Sequence, residues 1–346
     1  MTRLNSVATA FAAAALLASS FVSADHHGGA HTSSITKIDS NEFGIDAKEI
    51  ADINAQMQAA VDGGFIAGNI LLVGNSEGVG VLETAGTQGP GQSTPMDEQT
   101  FFRIYSMTKP IVSVATMTLV EDGLLAISDP VSKYIPEFAN MTVINEETGA
   151  ITPAANEMTV QDLLTHESGL IYGIFDPESE LGKMYFQAGS LRADITALTL
   201  AQNLAALPLR FEPGTKWNYS RSTDVLGAVI EVAAGKPLDA LLNERIFAPL
   251  GMDETTFFVD VSKAARIAHP IHGEMADPTV VTPMLSGGGG LHSTTEDYVR
   301  FASMLLGGGE YNGTRILEAD TLTAMQQKFI GDSVDRSAYF YGSRGD

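Results

Sequence analysis

The 346-residue chain is 44% hydrophobic, enough to bury one large core or two smaller ones. Its 42 acidic against 20 basic side chains leave a formal charge of -22, which disfavours nucleic acid and anionic membranes as partners and reads as a device for solubility. With no cysteine, thiol catalysis, disulfides and cysteine-ligated metals are excluded.

Residues 1–24 have the form of an export signal: Arg3, the apolar stretch "VATAFAAAALLASSFV", then small residues Val22 and Ala24 at a cleavage position. An apolar run of about 16 residues is short of the roughly 20 that cross a bilayer. The expectation is therefore export to the periplasm or medium, with no membrane anchor. Residues 25–45 are polar and aperiodic and are expected to form a mobile leader ahead of a folded domain over 46–346. Cleavage after Ala24 would place His27 third from a free amine, a spacing that can surround Cu(II) in a square plane. A flexible polar end is the preferred reading, and no metal is assigned to the domain.

Further along, "AKEIADINAQMQAAVDGG" sets Ile50, Ile53, Met57, Ala60 and Val61 at helical spacing, closed by Gly63 and Gly64. Two β-rich runs around "NSEG" then predict a hairpin. From Ile111 to Leu119 no polar face remains beyond small hydroxyls, the pattern of a buried helix ended near Gly123. Helical segments alternate with Pro/Gly loops from about 130 to 275, predicting a mainly helical lobe. A glycine loop and an amphipathic helix follow in "SGGGGLHSTTEDYVRFASMLLGGG", and a last helix in "EADTLTAMQQKF".

The chemistry concentrates in "FFRIYSMTKPIV". Pro110 lacks an N–H and belongs in a first helical turn, so Ser106 and Lys109, three apart, share one face at the helix N-terminus. A serine hydroxyl needs a base to become a nucleophile, and a lysine whose charge burial disfavours can serve as one. A second candidate is Tyr219 in "WNYSRSTDVLG", placed between a turn and a helix where its phenol can project into a cleft. Short patterns of this kind occur by chance, so a helix cap with a surface lysine, and a packing tyrosine, are the competing readings.

Four blocks in order, "FFRIYSMTKPIVSVATMTLVEDGLLAISDPVSKYIPEF", "TVQDLLTHESGL", "EPGTKWNYS" and "GGGGLHSTTEDYVRFASMLL", resemble the serine hydrolases related to class C β-lactamases, a group with DD-peptidases and family VIII carboxylesterases. The resemblance implies an α+β, β-lactamase/transpeptidase-like fold: an antiparallel sheet flanked by helices, with the active site against a helical lobe. It also implies Ser106 as acylated nucleophile, Lys109 as its activating partner and Tyr219 as general base or proton relay, without a cofactor. Two departures stand out. The β-lactamases and DD-peptidases usually carry Tyr-x-Asn, but here Tyr219 is followed by Ser220 and Arg221. Arg221 is either a contact for an acidic substrate group or, preferably, a surface salt bridge. The family's third motif, on an edge strand, is expected beyond "YFYGSRGD", where the sequence stops; the C-terminal strands are accordingly read as missing and the oxyanion hole as incomplete.

Other signals carry less. Ser76 in "GNSEG" matches a nucleophile elbow, but its hairpin setting lacks the strand-turn-helix context. His166 reads as a packing residue, and His269, His272 and His292 lack metal-ligand spacing. The sequence thus points to a carboxylesterase acting on a small-molecule ester or amide through an acyl-serine. The alternatives are a β-lactamase or D-amino-acid peptidase, and a non-catalytic cell-wall or ligand-binding relative.

Overall fold

A computed structural model of the chain describes residues 35–331 and 334–335. The export-signal pattern, His27 and residues 336–346 lie outside the described residues, as does any third-motif strand.

Helix α1 (Ala47–Asp62) begins at a capping box: the Asp46 carboxylate accepts from the Lys48 and Glu49 N–H groups, and Glu49 accepts from Asp46 N–H. Met57 is its buried residue, against the hairpin of β1 (Gly68–Gly74) and β2 (Val79–Gly86). These strands pair antiparallel from Gly68↔Gly86 to Val73↔Val81, with an irregularity at Gly74. The leader expected to be mobile through residue 45 is docked from Ile35 onward. Val79 N–H donates to Thr36 O at 2.8 Å, Ile38 N–H donates to Val79 O at 3.0 Å, and Ile35 is buried. The free edge of β2 supplies partners that the polar composition of the leader does not reveal.

After β3 (Phe102–Arg103), a 3-10 turn over Tyr105–Met107 leads into α2 (Thr108–Glu121). Ile111, Val112, Val114, Ala115 and Leu119 of α2 are almost wholly buried. The hydroxyls of Thr116 and Thr118 are satisfied locally, on the Val112 and Ala115 carbonyls. The predicted helical lobe also holds strand pairing: β4 (Thr142–Ile144) and β5 (Ile151–Pro153) form a small hairpin. The helices that follow are α3 (Val160–Thr165), α4 (Glu180–Gln187), α5 (Ala197–Ala205) and α6 (Ser222–Ala234). Next, α7 (Leu238–Leu242) runs through a π-helical turn, Asn243–Phe247, into α8 (Ala248–Leu250). Strand β6 (His292–Ser293) pairs with β3 and leads into α9 (Thr295–Leu306). A short hairpin, β7 (Glu310–Tyr311) and β8 (Thr314–Arg315), and α10 (Ala319–Met325) complete the described chain.

The fold is α+β, the class that the resemblance implies. Its strand pairings among the described residues form four two-stranded antiparallel pieces. The core lies where α6 packs on α2, α3, α5 and α7. Val225, Leu226, Ala228, Val229 and Ile230 of α6 are fully enclosed. This packing brings the N-termini of α2 and α6 side by side.

Candidate active site

The N-termini of α2 and α6 present the two sequence motifs to each other. Tyr105 adopts a left-handed backbone with φ 42°, a strained conformation for a non-glycine residue, immediately before Ser106. The turn is tied from outside: the Ile104 and Leu291 N–H groups donate to Leu291 O and to Thr108 Oγ1, and Tyr298 OH donates to Met107 O. Ser106 Oγ stands 2.5 Å from the Tyr219 hydroxyl and 3.2 Å from Lys109 Nζ. Residues 113 positions apart in sequence thus meet at one hydroxyl. Lys109 Nζ also lies 4.6 Å from the Tyr219 ring centroid.

Two further partners of Lys109 escape the sequence reading. Its amine is 3.1 Å from the Tyr172 hydroxyl and donates to the Gly288 carbonyl at 2.6 Å. Burial, reinforced by the Asp224 carboxylate, pushes the Tyr172 phenol well above its ordinary pKa, so it stays protonated. In sequence Tyr172 sits in the apolar run "LIYGIF" and reads as core; only the fold turns it toward Lys109. The glycine run at 287–290 was the available signal for Gly288, since small residues often mark a close backbone approach.

Arg221 is neither on the surface nor directed outward. Its side chain is 13% exposed, paired with Asp224 at 3.2 Å and hydrogen-bonded to Ser190 O. Its guanidinium lies 4.9 Å from the Tyr172 ring centroid. The expected surface salt bridge is therefore an enclosed one, and the contact weighed for an acidic substrate group is turned back into the protein. At the α6 N-terminus, packed against the glycine loop, Asp224 and the Ser190 carbonyl take the cation inward.

Ser76 lies exposed in the bend between β1 and β2, a strand-turn-strand setting and not the strand-turn-helix of a nucleophile elbow. His166 ends α3 in a left-handed conformation with φ 60°, its Nδ1 accepting from Ser220 N–H at 3.3 Å. Burial, with the Lys109 charge adding to it, lowers its pKa to about 3. His166 is thus neutral and packs its ring 4.8 Å from that of Tyr219. His292 Nδ1 faces Phe257 O, and the backbone N–H of His269 donates to Gln88 O. No three metal-binding side chains converge among the described residues.

A family model described as Beta-lactamase matches residues 53–343. The chain is 32% identical over 308 residues to an uncharacterized protein of Mycobacterium tuberculosis, covering 84% of this chain and 76% of that one. It is 33% identical over 246 residues to esterase EstB of Burkholderia gladioli, covering 70% of this chain and 59% of the relative. Among solved structures, EstCE1, described as a hydrolase with promiscuous acyltransferase activity, matches with a TM-score of 0.67 at 26% identity. That match covers 86% of this chain and 79% of the other.

Proposed function

The chain belongs to the beta-lactamase family of serine hydrolases, and from that premise we propose that it is a carboxylesterase working through an acyl-serine at Ser106. One observation carries the reading: a single hydroxyl, Ser106 Oγ, within hydrogen-bonding distance of both Lys109 Nζ and the Tyr219 phenol. In this reading Ser106 Oγ attacks the ester carbonyl carbon while its proton passes to the Lys109–Tyr219 pair. The C–O bond to the alcohol then breaks as that pair returns the proton to the leaving oxygen. Water, deprotonated by the same pair, attacks the acyl-serine carbonyl, the bond to Ser106 Oγ breaks as the pair returns that proton to Oγ, and the acid is released. The Ser106 N–H supplies one donor to the oxyanion.

The surroundings support an apolar ester. A cleft of about 410 Å³ opens beside Tyr105 and Gly289, mostly apolar in its lining through Phe257, Phe258, Met275 and Met284, with Arg103 and Asp277 among its polar members. Such a wall suits an aliphatic or aromatic acyl or alcohol group. The likeness to esterase EstB supports the ester over the amide. On the export-signal pattern alone, the enzyme acts outside the cytoplasm.

Turnover of p-nitrophenyl butyrate by wild type, Ser106→Ala and Ser76→Ala tests the assignment. Ser106→Ala abolishes turnover without lowering the melting temperature, and Ser76→Ala matches wild type. A fluorophosphonate labels Ser106. Undiminished turnover by Ser106→Ala overturns the assignment, and hydrolysis of a penicillin faster than of any ester moves the enzyme to the β-lactam branch.

A further inference from the structure

Lys109 Nζ has three neighbours that differ in kind. The Ser106 and Tyr172 hydroxyls can donate or accept a hydrogen bond, but the Gly288 carbonyl can only accept. One N–H of the amine is thus bound to Gly288 in either protonation state. The nitrogen is tetrahedral, and its Cε bond and the Gly288 hydrogen bond fill two of the four directions. When Lys109 is neutral, its lone pair must therefore face one of the two hydroxyls. One of those two directions is the one in which a base for Ser106 has to act.

Asp224 holds that carbonyl in place. It sits in the first turn of α6, 1% exposed. Its Oδ1 accepts from Ser286 Oγ at 2.5 Å and from Gly288 N–H at 3.1 Å, while Oδ2 accepts from Arg221 Nη1 at 3.2 Å. The fit leaves no spare room: a Cβ on Gly288 would stand 2.6 Å from Asp224 Oδ2. The loop is anchored to the buried carboxylate at Ser286 and again at Gly288, and the peptide unit that carries the carbonyl is tied through its Gly289 N–H to Ser286 O at 3.3 Å, so both peptide units flanking Gly288 are held.

We propose that Asp224 is a positioning residue of the hydrolytic site: by clamping Ser286 and Gly288 it aims the Gly288 carbonyl at Lys109 and so holds the amine where its remaining two directions meet the Ser106 and Tyr172 hydroxyls. This rests on the reading of Lys109 as the activating base. Arg221 belongs to the same device, because it fixes the second carboxylate oxygen. The clamp explains why a cation lies enclosed behind a catalytic lysine without touching the nucleophile.

Two comparisons test it, with p-nitrophenyl butyrate turnover, thermal melting and crystal structures as readouts. Asp224→Ala lowers kcat about 10²-fold, the cost of a misplacement on the order of 1 Å, with KM changed less than threefold. Ser286→Ala lowers kcat about 10-fold, and Ser286→Thr, which restores the hydroxyl, recovers most of that loss. In the crystal structure of either alanine variant Lys109 Nζ leaves the Gly288 carbonyl. An effect confined to KM overturns the proposal. So does a Ser286→Thr variant as impaired as Ser286→Ala, or an alanine variant whose Lys109 keeps its contacts with Gly288 and Ser106. Should Asp224→Ala not fold, the Ser286 pair decides alone. If instead Ser106→Ala retains turnover, the esterase assignment falls separately, and the position of Lys109 in the variant crystals still decides the clamp.

Discussion

At the scale of single residues, a hydroxyl is a useful nucleophile only when its proton has somewhere to go, and Ser106 has two destinations in reach. Lys109→Ala and Tyr219→Phe are each expected to lower kcat by about 10² to 10⁴, the usual contribution of a positioned proton transfer, with KM little changed. Steady-state kinetics separate this from a binding role, for which KM would rise at constant kcat. The Ser106–Lys109 half of the site is legible in sequence because three residues make nearly one helical turn, and Pro110 fixes where that turn begins. Tyr219 is legible only as a candidate. Tyr172 is not legible at all, because an aromatic residue among Leu170, Ile171 and Phe175 has the same local pattern whether it faces a core or a lysine.

At the scale of elements, the decisive contact is that of α6 with the glycine loop. Gly227 on the helix and Gly287 in the loop let two backbones touch. A Cβ on Gly287 would fall 2.5 Å from Thr223 O, a backbone atom that cannot rotate away. Gly287→Ala is therefore expected to cost about 1–3 kcal/mol, the range of overpacking, and to lower the melting temperature by several degrees. Calorimetry measures the stability, and the same variant should lose turnover as the loop lifts from α6. The helix and hairpin at 47–86 follow from local signals: the Asp46/Glu49 cap, the heptad-like apolar spacing and the "NSEG" turn. The π-helical turn at Asn243–Phe247 and the β4–β5 hairpin do not. The first interrupts a continuous helical pattern, and the second, although closed by bonds in its own turn such as Asn145 N–H to Ala150 O, is short and exposed on β5 and is held to the domain by the pairing of Val143 with Leu209.

For the whole molecule, a buried neutral imidazole couples stability to pH. The folded protein holds His166 at a pKa of about 3, whereas an unfolded histidine titrates near 6.5. On acidification the unfolded chain therefore takes up the proton first. The contribution of His166 is complete above about pH 6.5 and is lost progressively as the pH falls toward 3. At pH 5 the loss amounts to about 2 kcal/mol. His166→Asn keeps a residue that tolerates the left-handed conformation and removes the titration. Denaturant unfolding of this variant should show a flatter decline in stability between pH 6.5 and 4.5 than wild type; equal slopes would assign the acid sensitivity elsewhere.

The sequence by itself determined the parts of this protein governed by short-range rules. These are the helical turn that pairs Ser106 with Lys109, the apolar run that buries α2, the first hairpin and the ordered blocks that mark the family. The helical turn, the apolar run and the hairpin are each specified by residues near one another in the chain, where spacing fixes geometry, and the blocks by their order along it. Tertiary structure alone decided that Tyr172 and Gly288 complete the surroundings of Lys109, that Arg221 faces Asp224 and not solvent, and that the segment from Ile35 docks on β2. Apart from the Arg221–Asp224 pair, which lies within one helical turn but is enclosed only by its surroundings, those contacts join residues far apart in the chain, from 42 between Lys37 and Val79 to 179 between Lys109 and Gly288. The contacts around Lys109 and Arg221 come from the packing of α6 against α2 and the glycine loop, and the docking from Ile35 from the free edge of β2, properties of the assembled fold that no local pattern encodes.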